Sequence, residues 1–267
     1  AASDVYKRQP IKFVLPGVSA DASCDFYVVI NRNIADNITT KAKLLEELES
    51  DIASYNGTYA NVTTKAMRSG GFAMTGTVTA KIVSGTTAVT VTVKRVVAKV
   101  EIQTSMTDSF RTKYGNGCVE VKKITLSRGA EKSYLIDQTA SKYATVSSSF
   151  TSAQDAYCDK TGASKTNAYK YNNLFYINEK AAAATGSRIK VVLDAIYDAD
   201  GNLSTTADQV PLSYETELTG TTDGKMLRNG SYKLNVNLDG LTGKDMTLSI
   251  AIANWEALST QNVNVGK

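Results

Sequence analysis

An acidic segment at 198–202 is the part of this chain whose residue types and spacing come closest to a metal site. It reads Asp-Ala-Asp-Gly-Asn, with oxygen-bearing side chains at alternate positions, as at the opening of a calcium loop. A twelve-residue calcium loop needs glycine at its sixth position and glutamate at its twelfth. This sequence has Leu203 and Gln209 there, so the template fails twice. An Asp-Gly pair between strand-like runs is better explained as a hairpin turn, and we predict no metal site.

Catalytic chemistry has little support elsewhere in the sequence. The chain contains no histidine, so serine and cysteine nucleophiles lack their usual base. No glycine-rich phosphate loop stands between a strand and a helix. The three cysteines, Cys24, Cys118 and Cys158, are too few and too widely spaced for a zinc or iron–sulfur site. We therefore predict no enzyme activity and no cofactor.

The cysteines leave two structural interpretations open. Cys118 and Cys158 could form a disulfide within one domain of an exported protein, which would leave Cys24 free. Alternatively, all three are unpaired buried thiols, because free cysteine commonly packs as a small hydrophobic residue. Their spacing does not choose between the two.

The elements that must position any site are strands, and the clearest signal lies between residues 89 and 102. Valines at odd positions 89–93 alternate with threonines, whereas from Val96 to Ile102 the apolar set falls on even positions. An apolar pattern with a period of two residues is typical of a strand with one buried and one solvent-exposed face. The change of parity near Lys94 predicts a bulge, a bend or a change of sheet there.

The remaining sequence is mostly strand-like, with one helical pattern at 40–55, where leucine and isoleucine recur at helical spacing behind a threonine cap. Many short strands separated by turn signals favour β-sandwiches over a parallel α/β sheet. The predicted strands are 11–15, 25–31, a hairpin of 77–83 with 88–93, 119–127, 143–149, 174–178, 188–197, 212–218, 232–238 and 246–252.

The composition excludes one class of partner. The chain has 267 residues, is 42% hydrophobic and has a net charge of only +4 with scattered basic residues, so we expect no nucleic-acid binding.

The domain organisation is predicted from the polar segments of the sequence. Residues 1–9 are interpreted as a sequencing or assembly scar, because 4–9 match one reading frame of a transposon end used in library preparation. The polar segment 103–116 separates the predicted domains, 10–106 and 107–267, and 147–168 is predicted to be a long surface excursion.

Several short elements occur in order along the chain, and together they resemble one family. They are DFYVVIN at 25–31 with a threonine-led helix at 39–48, Met-Thr-Gly at 74–76, RVVAKVEI at 95–102, VKKITLSRG at 121–129, FYINE at 175–179, RNGSY at 228–232 and a last strand ending in Asn-Trp-Glu at 254–256. This combination resembles the Bacteroidales fimbrillins, the subunits of type V pili.

The resemblance implies an all-β fold of two tandem transthyretin-like, Greek-key β-sandwich domains with one or two short helices. It also implies a structural pilin, exported as an outer-membrane lipoprotein precursor, that polymerises into cell-surface fimbriae mediating adhesion. Its partners would be further pilin subunits, anchor and tip proteins, and host surface glycans or proteins. In such proteins a protease of trypsin-like specificity removes the first strand, and a segment of a neighbouring subunit fills the groove. No lipidation cysteine and no convincing cleavage arginine stand at the front of this chain, because Arg8 falls in the scar and Arg32 within or just after a strand.

The C-terminal segment 257–267 suits the donor role, with Leu258, Val263 and Val265 as anchors among short polar residues. The alternative is an ordinary final edge strand packed on its own domain, because two-residue alternation does not distinguish intramolecular from intermolecular pairing.

A different function is a monomeric surface glycan-binding lipoprotein or a pilus tip adhesin on the same fold. Its best support is a cluster of aromatic residues, Tyr169, Tyr171, Phe175 and Tyr176, of which the last two are expected to be core residues.

Overall fold

The computed structural model of the protein describes residues 11–14, 17–19, 21–50, 52–56, 71–83, 85, 87–143, 147–155, 173–221, 223–242, 246–254 and 260–265. These residues form mainly antiparallel sheets, as predicted. Among them, no helix is both long enough and apolar enough to span a lipid bilayer. Residues 1–9 and most of the predicted excursion at 147–168 lie outside the described residues.

The first sandwich consists of two three-stranded sheets. One has the order β1-β16-β5, formed by Ile11–Phe13, Thr260–Val265 and Thr87–Thr92. The other has the order β2-β4-β6, formed by Ser23–Ile30, Met74–Lys81 and Lys94–Arg95. Between the sheets, the buried side chains of Val89 and Val91 on β5 pack against apolar residues of β2 and β4, namely Phe26, Val28, Val78 and Ala80. This small core is the consequence of the odd-numbered valine pattern.

The second sandwich consists of two four-stranded sheets. The sheet β10-β8-β12-β13 is formed by Phe150–Asp155, Cys118–Gly129, Lys190–Asp198 and Gln209–Glu217. The sheet β11-β7-β14-β15 is formed by Asn173–Asn178, Val97–Met106, Gly230–Leu238 and Met246–Asn254. The largest core of the described residues lies between them, with Ile102, Ile124, Leu193 and Leu234 completely buried. The predicted all-β sandwich architecture is therefore confirmed.

The parity change near Lys94 marks a change of sheet. The chain leaves β5 in one sheet of the first sandwich, contributes the two residues of β6 to the facing sheet, and then enters β7 in the second sandwich. Val89 and Val91 are buried before the change, and Ala98 and Val100 after it. Each sheet buries a different face of the chain, so the apolar positions must move from odd to even.

The strand β7 belongs to the second sandwich. It pairs antiparallel with β11 and parallel with β14, and its inward side chains join the larger core. The sequence placed this strand at the end of a first domain, 10–106. Sheet pairing instead places the transition between sandwiches before Val97, because a two-residue period does not say which neighbours a strand will have.

The predicted helix at 40–55 is interrupted. Thr40 caps α1, Lys41–Glu46, as expected, and its hydroxyl accepts a hydrogen bond from the Lys43 amide at 3.3 Å. The chain then extends as β3, Leu48–Glu49, before α2, Ile52–Tyr55. β3 pairs with β9, Ser133–Tyr134, so backbone pairing with a distant segment replaces the helical bonds that a continuous helix would make there.

The predicted hairpin of 77–83 with 88–93 is wrong in its pairing. β4 pairs with β2 and β6, whereas β5 lies in the facing sheet. The two strands lie close together at Gly76, where a Cβ atom would lie 2.2 Å from the carbonyl oxygen of Thr92. β4 and β5 therefore lie in two different layers of the sandwich, although the turn signal between them in the sequence is the same as that of a hairpin.

Two further segments differ from their predictions. The region 103–116 is not a linker, because β7 continues to Met106 and α3, Asp108–Tyr114, follows with Thr107 as its cap. Instead of a strand at 143–149, the described residues contain α4, Ala140–Tyr143, and β10 begins only at Phe150. Phe110 of α3 is completely buried in the second core, which explains how a mostly polar segment forms a stable helix.

Candidate functional site

The C-terminal strand β16 completes a sheet of the first sandwich. The strands it pairs with, β1 and β5, lie in the N-terminal part of the sequence. It pairs antiparallel with β5, with Thr260 opposite Thr92, Val263 opposite Val89 and Val265 opposite Thr87. On its other side it pairs in parallel with β1, where Ile11 stands opposite Val263. The last strand of the chain is therefore the middle strand of this sheet.

The first sandwich depends on this strand for its second layer. Among the described strands, β5 has no sheet partner other than β16, and neither has β1. Removal of β16 would leave the edge of β5 unpaired directly beside the buried Val89 and Val91. An open strand edge beside an apolar core is a template for pairing with another extended segment. The edge of β5, paired in register over residues 87–92, is the candidate acceptor site.

A buried ion-pair network connects the two sandwiches. Arg228, just before β14, donates to both carboxylate oxygens of Glu179, from Nε at 2.8 Å and from Nη2. It also donates to the carbonyl oxygens of Tyr134 at 2.7 Å and Leu135 at 3.1 Å, and lies 3.5 Å from the hydroxyl of Thr75 on β4. The side chains of Arg228 and Glu179 are 5% and 3% exposed, so these hydrogen bonds replace water for two buried charges.

The charge state of this network follows from its contacts. Burial alone lowers the pKa of the Arg228 guanidinium, but the hydrogen bonds and charge of Glu179, with the charge of Asp137, outweigh burial and raise that pKa overall. Ser133 donates a further hydrogen bond to Glu179 at 2.8 Å. The Arg228 guanidinium is therefore a permanent structural cation and not a proton donor in chemistry.

Asn229 extends the network to the start of the second sandwich. Its side-chain oxygen accepts from the backbone amide and the guanidinium of Arg95, both at 3.3 Å, and its backbone amide donates to the carbonyl oxygen of Val97 at 3.0 Å. Its φ of 56° lies in the left-handed region, which asparagine tolerates better than most residues. Four of the sequence elements that carry the family resemblance thus meet here: those containing Thr75, Arg95, Glu179 and Arg228.

An acidic cluster lies at the loop of the β12–β13 hairpin. The hairpin itself is confirmed, since Asp198 pairs with Gln209 across it. The cluster comprises Asp198, Asp200 and Asp208, one oxygen of each lying within 4.8 Å of the others. Sequence spacing identified the first two but missed Asp208, which joins them only because the hairpin folds back.

The predicted donor and cysteine residues have different outcomes. Val263 and Val265 lie in β16, whereas Leu258 lies outside the described residues. β16 pairs with strands of the first sandwich, so it is neither an edge strand nor packed on the sandwich that precedes it. Cys118 is buried at the start of β8, and Cys158 lies outside the described residues, so their disulfide stays a prediction.

The aromatic cluster offers no described binding platform. Phe175 and Tyr176 on β11 are each 1% exposed, as expected for core residues. Tyr176 packs against Phe72, with ring centroids 4.8 Å apart. Tyr169 and Tyr171 lie outside the described residues.

Solved structures with the same architecture come from Bacteroidales bacteria. The chain is similar to a fimbrilin from Porphyromonas gingivalis, with a TM-score of 0.58 and 16% identity over 90% of this chain and 82% of that one. It is also similar to candidate cell adhesion proteins from Bacteroides eggerthii (TM-score 0.54, 12% identity, 91% and 79% covered) and Parabacteroides distasonis (TM-score 0.54, 11% identity, 88% and 84% covered). No protein-family model matches the sequence, and no curated protein matches it. The chain has the fimbrillin fold.

Proposed function

We propose that this protein is a structural subunit of a cell-surface fimbrium that polymerises by donor-strand exchange. The observation that carries the proposal is the sheet β1-β16-β5, whose middle strand comes from the far end of the chain. The fimbrillin fold supports the same role, since its solved representatives include a fimbrilin and candidate cell adhesion proteins.

Exchange would preserve the contacts of the single chain. In the monomer β16 occupies the edge of its own β5, and in the polymer it would occupy the β5 of the next subunit in the same register. Identical backbone pairs form in both states, as in domain swapping, so the polymer gains whatever new surface the neighbouring subunits bury.

The connection between β15 and β16 sets the geometry of the polymer. β15 ends at Asn254 and β16 begins at Thr260, and a fully extended chain spans at most about 3.6 Å per residue. The receiving sandwich must therefore lie within about 20 Å of the end of the donor's β15. Such head-to-tail contacts join the first sandwich of one subunit to the second sandwich of another, and they build an open filament.

The strand β1 would control the release of β16 from its own subunit. It pairs only with β16 among the described strands, with Phe13 opposite Val265. Proteolytic removal of β1, as the family resemblance implies, would leave one side of β16 unpaired and lower the barrier to its release. We propose anchor and tip proteins as further partners, adhesion to host surface glycans or proteins as the outcome, and an outer-membrane lipoprotein precursor as the exported form.

Deletion of 257–267 tests this function. The truncated chain, processed in the same way as the intact one, should form neither filaments in electron micrographs nor detergent-resistant ladders on gels. A synthetic peptide of residues 257–267 should restore the thermal stability of the truncated chain, whereas a scrambled peptide of the same composition should not. Filaments that persist after the deletion would refute donor-strand exchange.

A further inference from the structure

We propose that the β12–β13 hairpin binds one calcium ion between Asp198, Asp200 and Asp208. The twelve-residue loop template predicts no such site, because it requires ligands that this loop lacks. The folded hairpin instead brings a third carboxylate from the far side of the loop to the first two.

The spacing of the carboxylates matches one shared ion. Calcium binds oxygen at about 2.3–2.6 Å, so two oxygens on the same ion lie at most about 5 Å apart. One oxygen from each aspartate lies within 4.8 Å of the other two. Three negative charges at this separation repel one another, and no lysine or arginine of the described residues forms an ion pair with any of them.

The buried member of the cluster is the second, independent observation. Asp198 is 0% exposed, and its Oδ1 forms no hydrogen bond of normal geometry among the described residues. The backbone amides of Gly201 and Asn202 face this carboxylate without completing such a bond to Oδ1. An unsatisfied buried carboxylate oxygen is costly, and a bound cation removes that cost. Its other oxygen, Oδ2, accepts a hydrogen bond from Gln209 Nε2 at 3.1 Å, which fixes the orientation of the carboxylate.

The loop holds the other two carboxylates in place. Asp208 Oδ2 accepts from the amide of Asp200 at 3.0 Å, and Asp200 Oδ1 accepts from the amide of Asn202 at 2.7 Å. Leu203 packs against the second core, which anchors the loop. Calcium accepts oxygen ligands in flexible geometry, so three carboxylates brought together by a folded hairpin suit it better than magnesium, which demands near-ideal octahedral geometry and keeps several waters.

Calcium titration of the purified, metal-stripped chain of residues 1–267 tests the site. We expect one calcium ion per chain by isothermal titration calorimetry, with a Kd of about 10⁻⁴–10⁻³ M, the range of extracellular modules. At tenfold excess over Kd, the melting temperature should rise by roughly 3 °C or more. Magnesium at the same concentration should produce a clearly smaller rise.

Two variants make the test specific. Asp208→Asn, at a partly exposed position, should fold normally by circular dichroism and bind calcium at least tenfold more weakly. Asp36→Asn, which changes an exposed carboxylate outside the cluster, should bind as the wild type does. The inference is overturned if the wild type shows neither binding heat nor a thermal shift at 10 mM calcium (a deliberate excess over the Kd expected for such modules), if magnesium acts equally, or if Asp208→Asn binds unchanged. Because the monomer is used, these results are independent of assembly.

Discussion

At the scale of single residues, Arg228 has the most consequential environment. Its guanidinium bonds a carboxylate on one sandwich and reaches Thr75 on the other, together with two backbone carbonyls. A buried ion pair of this kind contributes little more to the stability of the fold than a well-packed apolar pair would. Removing one member, however, leaves the other charge buried without a partner. Its value here is geometric, because it fixes how the first sandwich attaches to the second.

Replacing this arginine should destabilise the whole chain. Arg228→Met leaves Glu179 buried without its partner, so we expect the free energy of unfolding to fall by about 3–5 kcal/mol. Urea denaturation followed by circular dichroism would measure the loss. Arg111→Met is the matched control, since Arg111 pairs with an Asp108 side chain that is 96% exposed, and we expect a change of at most about 1 kcal/mol. Equal losses in the two variants would contradict the importance of the network.

At the scale of elements, local patterns located most strands but not their partners. Four strands lie close to their predicted positions, namely β8, β11, β12 and β14. Their prediction depends only on the alternation of apolar and polar residues, which successive side chains of a strand produce by pointing to opposite faces. The hairpin of 77–93 and the helix of 40–55 were mispredicted for one reason. In both, pairing with a distant strand outweighed the local signal, through β2 for β4 and through β9 for β3.

A proline in the middle of β16 should prevent both its intramolecular and its exchanged pairing. Val263 stands between Val89 and Ile11, so Val263→Pro removes a backbone donor from the centre of the sheet. We expect loss of filaments and of detergent-resistant ladders.

Thr260→Pro is the control for this variant, because Thr260 is the first residue of the strand, where proline is tolerated. It should assemble nearly as the wild type does. Filament yields for Val263→Pro equal to those of the wild type would argue against β16 as the shared strand.

At the scale of the whole molecule, one buried and two half-buried tyrosines couple stability to alkaline pH. Burial is the main cause that raises the pKa of Tyr143, Tyr197 and Tyr232. Nearby carboxylates add to the effect at Tyr143, and Tyr114 and Cys118, followed by two aspartates, add to it at Tyr197. Lys180 acts in the opposite direction, because burial and then the charge of Arg128 lower its pKa. Three tyrosines oppose this one lysine, so we expect the tyrosines to dominate the pH dependence of stability.

Stability should therefore fall above pH 10. In the unfolded chain tyrosines ionise near pH 10, whereas the folded chain keeps their protons to higher pH. Their contribution is complete below the unfolded pKa and is lost as pH rises toward the folded one. Urea midpoints measured at pH 8 and pH 11 should show the loss, and Tyr197→Phe should reduce it while retaining the ring contacts with Phe110 and Tyr114. An unchanged midpoint would contradict the burial argument.

The amino-acid sequence by itself determined the β class, the positions of most strands, the cap at Thr40 and the switch of buried face near Lys94. Each of these features depends on residues that are close together in the sequence, because strand periodicity and helix capping are local properties of the chain. Only the tertiary structure decided that β7 joins the second sandwich, that β16 fills the sheet beside β5, and that Asp208 meets Asp198. These are contacts between segments far apart in the chain or across a folded hairpin, and a strand's period of two is the same whichever partner it has.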